Sequence, residues 1–195
     1  MNITSRMSSN RPRKRLDFRT TSSSASLHRV RFCLGDAAEF CRTDVTRSDD
    51  VDAMSQAALS LSDRVDILVN NVGTNLRKPS VDYTEAEYDA LQATNLGSAF
   101  HLSARCLAAL KRRRGCVINM SSVSGSTTDS TGALYHMHKA ALEHMTRYLA
   151  CEWGEHGVRV RAHFVDAALA GHVVGVAEVD ISWPIKRCHS EAELR

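Results

Sequence analysis

Three short apolar runs dominate the chain: Asp66-Ile67-Leu68-Val69, Cys116-Val117-Ile118-Asn119-Met120 and Val158-Arg159-Val160. Runs of this length, separated by stretches long enough for helices, predict strands buried in a parallel sheet with helices packed against it. The intervening segments carry the matching signals. Val51, Met54, Ala58 and Leu61 recur at three- and four-residue steps, with Ser48 as a candidate N-cap and Asp49, Asp50 and Asp52 suited to the positive end of a helix dipole. Thr84-Glu85-Ala86-Glu87 has the form of a capping box, opening a long helix toward Arg114 that Gly115 can end. A further helix is predicted over 132–153, with Leu134, Met137, Ala141, Met145 and Leu149 along one side. Phe40 to Val45 reads as a short strand running out at Asp44. The expected fold class is therefore α/β.

The flanks behave differently. Residues 1–28 hold six Lys/Arg against the single Asp17, a local +5, so with a net charge of +3 the rest of the chain stands at −2. This segment is rich in Ser, Thr and Arg and shows no apolar period, so it is expected to be a disordered basic tail. Arg-rich, Ser-rich and acid-poor also describes an organellar transit peptide, but Arg outnumbers Lys 20 to 5 over the whole chain, so the tail partly reflects background composition. A cytoplasmic location is the first expectation and an organellar one the second. Residues 29–165 are expected to form the domain, and 166–195 show no convincing periodicity and stay unassigned.

Positive charge gathered in a tail rather than on the folded body speaks against a nucleic-acid binder. Lys111-Arg112-Arg113-Arg114 is more simply a solvated, dipole-favoured helix end. No apolar run approaches the ~18–20 residues of a membrane-spanning helix. Six Cys, none in a C-x-x-C pair, speak against a zinc module and for reduced thiols. His136 and His138 lie two apart on a predicted helix and point to different sides, which disfavours a shared metal.

The residues that could carry chemistry are Tyr135 and Lys139. Four apart on a helix, they share a face. A phenol titrates near 10, but an ammonium ~4 Å away at an effective dielectric of ~20 favours the phenolate by about 4 kcal/mol, near three pKa units, which would suit proton exchange with an alcohol or carbonyl. The pair alone is weak evidence, and a surface Tyr beside a solvated Lys is the plain alternative. Ser122 lies at the end of a predicted strand, where ligands collect in open parallel sheets. Asn95 sits inside a predicted helix, where Asn is a poor helix former with no capping excuse. Asn70-Asn71-Val72-Gly73 follows another strand end.

Taken in this order, Asp66 to Gly73, Asn95, Ser122 and Tyr135-x-x-x-Lys139 resemble the signature of the short-chain dehydrogenases/reductases. Asn71 to Pro79 and Leu149-Ala150-Cys151-Glu152-Trp153 resemble its tropinone-reductase-like branch, and the likeness covers about residues 41–160. It implies a Rossmann-like parallel sheet flanked by helices and hydride transfer between a nicotinamide dinucleotide and a carbonyl/alcohol pair. It further implies Tyr135 as acid/base and Lys139 as the residue that lowers its pKa and holds the nicotinamide ribose. Ser122 would hydrogen-bond the substrate oxygen, and Asn95 would carry a water toward Lys139. Asn71 and Gly73 would lie along the adenosine ribose, and Asp44-Val45 would meet the adenine. The resemblance favours NADP, with NAD open, and a small-molecule carbonyl or alcohol as substrate.

The resemblance breaks at both ends. No Gly precedes Gly35 and none lies between Gly35 and Gly73, so the family's glycine-rich phosphate cradle and its first strand are missing, and the strand from Asp66 is expected to have an unpaired edge or a substitute neighbour. Arg161 and Phe164-Val165-Asp166 stand where the family places Asn and a Pro-Gly turn. A truncated or mis-spliced product is the expectation drawn from these ends. Two functions stay open: a nicotinamide-dependent oxidoreductase, or a non-catalytic relative that pairs with itself or a full-length homologue through its two long helices.

Overall fold

The computed structural model describes residues 2–4, 15–17, 38–130 and 132–165. The unassigned segment 166–195 and most of the expected tail lie outside them. In chain order the elements are β1 (Asn2–Thr4), β2 (Arg15–Asp17), β3 (Ala38–Phe40), α1 (Ser48–Leu61), β4 (Ile67–Asn70), α2 (Glu85–Gln92), a π-helical turn (Ala93–Gly97), α3 (Ser98–Arg113), β5 (Cys116–Ser122), α4 (Ala133–Gly154) and β6 (Arg159–Val165), with short 3-10 turns at Ser80–Asp82 and Val123–Gly125.

The strands form one sheet in the order β3-β2-β1-β4-β5-β6. Its well-formed part is the parallel set β4-β5-β6, in which Leu68 faces Val117 and Val117 faces Val160. The alternating pattern predicts this parallel arrangement, and it matches the Rossmann-like sheet that the resemblance implies. The core lies between these strands and the helices: Leu68, Val117, Leu102 and Leu110 are fully buried, joined by Met54 from α1 and Trp153 from α4. On its other side β4 is paired antiparallel with β1, a neighbour of the substitute kind expected there. A backbone ladder needs only N–H and C=O groups, so a segment without an apolar period can still fill an edge. Both β1 and β2 fall inside the stretch expected to be tail.

Local chemistry explains the element ends. Thr84 and Glu87 form the full capping box, each side chain accepting from the other's backbone N–H. Arg114 adopts a left-handed conformation at φ 49° and ends α3, and Gly115 follows where a Cβ would stand 2.8 Å from the Val65 carbonyl oxygen. Arg112 reaches the Asp63 carbonyl and Arg113 pairs with Asp66 at 3.5 Å, so this basic helix end is tied to the loop before β4.

Three local expectations need correction. The strand expected at 40–45 is confined to Ala38–Phe40, because Asp44 forms a turn in which its carboxylate accepts from the N–H and hydroxyl of Thr46. Ser48 begins α1 instead of capping it, since its hydroxyl accepts from Arg105 on α3 at 2.7 Å. The apolar stripe of α4 is only part of its buried side. Leu134 and Leu149 are buried and Met145 packs against the core, but Met137 is 52% exposed, and His138, Lys139, Glu143 and Thr146 are buried beside Leu142. Polar groups can join that side because they find partners across the fold, which apolar periodicity does not register.

Candidate active site

The site is assembled at the carboxyl ends of β4 and β5, beside α4. The expected long helix over 84–114 is interrupted by the π-turn at Ala93–Gly97, and this accounts for Asn95. The buried Asn95 side chain binds the loop after β4: Oδ1 accepts from Thr74 N–H at 2.8 Å and Nδ2 donates to the Thr74 carbonyl at 2.9 Å. A single π-turn inserted in a helix is a common feature of functional sites.

Gly73 lies in that loop. A Cβ built on it would stand 3.5 Å from both Asn95 Oδ1 and Lys139 Nζ, so three of the expected residues converge from β4, the π-turn and α4. Lys139 is buried and donates to the Met120 carbonyl oxygen at 2.5 Å, two residues before Ser122. Its Nζ lies 5.4 Å from the centre of the half-buried Tyr135 ring, the neighbouring turn of the same helix face. Burial pushes the Lys139 ammonium down to about 8, while the charge of Glu143 one turn further along α4 pulls it up.

Ser122 is buried at the last position of β5, where its hydroxyl accepts from Ser124 N–H at 3.2 Å and lies 3.3 Å from the Ser124 hydroxyl. Asn71 is exposed just past β4. Asp44 and Val45 lie on the segment between β3 and α1. Val45 is buried in the core, and Asp44 is engaged in its turn with Thr46, which holds its carboxyl below the ordinary range.

Sequence reasoning missed several residues here. His138 is buried beside Lys139, with Nδ1 3.4 Å from Asn95 Nδ2 and no hydrogen-bond partner at Nε2. Burial, and then the Lys139 charge, lower its pKa. Beneath the site, Asn70 Nδ2 donates to Asn119 Oδ1 at 2.7 Å and to Ser103 Oγ at 2.9 Å, and Asn119 Nδ2 donates to Thr146 Oγ1 at 2.9 Å. Asn119 inside a predicted strand and Asn70 just past another were the available signal for that network. Glu143 accepts from Ser121, and its i+4 spacing from Lys139 was the signal for it.

A cavity of about 670 Å³ opens beside the start of α4, between Arg77–Ser80 on one side and Thr128–Ser130 with Gly132 and Ala133 on the other, and His136 and Met137 on its helix side. Among the described residues no group of three His, Cys, Asp or Glu could hold a metal ion, and no helix is long and apolar enough to cross a membrane.

The chain resembles known proteins over the same region. The family model described as enoyl-(acyl carrier protein) reductase matches residues 18–169. A tropinone reductase homolog of Arabidopsis thaliana is 44% identical over 107 residues, covering 54% of this chain and 40% of the relative, and another from that plant is 46% identical over 101 residues, covering 51% and 37%. The chain thus spans about two fifths of the length of these curated relatives. Among solved structures, a short-chain dehydrogenase from Streptomyces avermitilis superposes with a TM-score of 0.70 at 28% identity, covering 75% of this chain and 54% of that one. A metagenomic short-chain oxidoreductase in complex with NADP superposes with a TM-score of 0.68 at 28% identity, covering 77% and 69%.

Proposed function

Because the chain belongs to the short-chain dehydrogenase/reductase family, we propose that it interconverts a carbonyl and an alcohol on a small molecule, as a tropinone-reductase-like enzyme that uses NADP ahead of NAD. The observation that carries this reading is the convergence of Gly73, Asn95 and Lys139, with the Lys139 ammonium held over the Tyr135 ring.

Tyr135 Oη exchanges a proton with the substrate oxygen, with the Lys139 ammonium over its ring. The Ser122 hydroxyl donates a hydrogen bond to that same oxygen and orients it. The Met120 carbonyl accepts a hydrogen bond from the Lys139 ammonium and fixes its head. Asn95 holds the Thr74 loop open beside Lys139. The cofactor, when bound, supplies or accepts the hydride.

The residues fit such a cofactor unevenly. Tyr135 and Lys139 suit the nicotinamide ribose, and a side chain at position 73 would fill the space against Lys139. No glycine-rich turn accompanies them to cradle a pyrophosphate. Each missing charge-assisted hydrogen bond is worth roughly 1.5–3 kcal/mol, so affinity is expected to be low. That loss, with Phe100 on α3 and Tyr148 on α4 exposed at 48% and 65%, supports a second reading: a non-catalytic partner that pairs with itself or a full-length homologue.

Titration of purified protein with NADPH and NADH, with turnover of a cyclic ketone, tests the choice. Saturable binding with turnover supports the reductase. Absence of binding, together with a stable complex with a full-length homologue by light scattering, overturns it in favour of the partner.

A further inference from the structure

The chemistry above leaves one buried carboxylate unused. Glu143 is 5% exposed and lies one turn beyond Lys139 on α4. Both of its oxygens are engaged by one short segment: Ser121 Oγ donates to Oε1 at 2.8 Å and Ser126 Oγ donates to Oε2 at 3.3 Å. Those two serines bracket Ser122, and the turn between them passes so close that a Cβ at Gly125 would overlap Oε1. A carboxylate removed from water needs hydrogen bonds or a partner charge, and here it has two hydroxyls and the neighbouring ammonium of Lys139.

From this geometry we infer that Glu143 is the positioning residue of the site: it clamps the Ser121–Ser126 turn to the helix carrying Tyr135 and Lys139, and so fixes the strand end that carries Ser122 relative to that helix. The clamp rests on the reductase reading only for its effect on turnover. Its mechanical part stands alone. Without the carboxylate the turn keeps its internal bonds, Ser126 N–H and Thr127 N–H to the Val123 carbonyl and Ser124 N–H to Ser122, but loses the two hydrogen bonds from Ser121 and Ser126 to α4.

The experiment compares Glu143→Gln, which keeps the volume but only one accepting oxygen, with wild type. Glu143→Ala serves as a harsher second variant. Amide hydrogen exchange at Ser124, Ser126 and Thr127 should quicken by about tenfold in Glu143→Gln, a loss expected from one hydrogen bond to a charged group, while amides in the middle of α3 stay unchanged. Unchanged exchange in the turn, or equal quickening throughout the domain, overturns the clamp. In turnover, kcat should fall by about tenfold while the KM for NADPH stays within about twofold, because Ser122 meets the reacting oxygen and not the cofactor. A quickened turn with unaltered kcat overturns the positioning role. If wild type shows no turnover, the reductase reading fails and exchange alone decides the clamp.

Discussion

Lys139 donates to the main-chain oxygen of Met120 at 2.5 Å, which ties the first half of α4 to the end of β5. The bond brings the ammonium into a buried position beside the Tyr135 ring and two residues from Ser122. It makes the positive charge of the site a fixed feature of the fold.

That fixed charge is costly to bury. The Lys139 ammonium titrates at about 8 in the folded chain against 10.5 when free, so between those values the unfolded chain binds the extra proton. Stability from this group therefore rises with pH from about 8 to 10.5, by about 3 kcal/mol in all, and the penalty is fully present below 8. Urea unfolding at pH 7.5 and 10.5 should show this gain in wild type relative to Lys139→Met, which lacks the titrating group. Parallel behaviour of the two proteins would contradict the assignment.

Activity should run the opposite way. Above pH 8 the ammonium is lost and Tyr135 faces a neutral amine, so carbonyl reduction is expected to decline with an alkaline limb near 8. Lys139→Met should lower kcat by about 100-fold or more even at pH 7, within the usual range for an acid–base group. Steady-state rates from pH 6 to 10 check both points.

The polar layer beneath the site should be stabilising. Asn119→Ala removes the bonds to Asn70 Nδ2 and Thr146 Oγ1 and leaves buried groups without partners. A loss of about 2–4 kcal/mol is expected, measured by the shift of the urea midpoint at constant slope.

The start of α2 offers a milder test. Thr84→Ala breaks one half of the capping box and should cost about 1 kcal/mol. Lys78, followed by the Thr84 N–H, holds the Glu87 carboxyl down to about 2, so its contribution persists in mild acid and is lost only as pH falls from the ordinary carboxylate range through about 2. Thermal unfolding of both proteins at pH 7 and 4 should therefore show a similar gap.

Much of this was readable beforehand. The runs at Ile67, Cys116 and Arg159 are apolar enough to be strands, Thr84 and Glu87 announce a helix start, and Tyr135, Lys139, Ser122 and Asn95 stand out as residue types with chemical capacity. These are local properties, set by burial preference, backbone hydrogen bonding and spacing along one element. The missing glycine-rich turn was equally plain.

Other features depended on parts of the chain far apart in sequence. Apolar periodicity placed Met137 on the buried side of α4, but Glu143 meets Ser121 and Ser126, Thr146 meets Asn119, and Lys139 meets Met120. Burying such groups is favourable only when remote partners satisfy them, and no one-dimensional pattern records those partners. The sequence by itself determined the layered α/β plan and singled out the candidate side chains. The tertiary structure decided which face of α4 turns inward, the π-turn that aims Asn95 at Thr74, and the antiparallel strand beside β4, because each depends on a hydrogen bond whose other half lies tens of residues away.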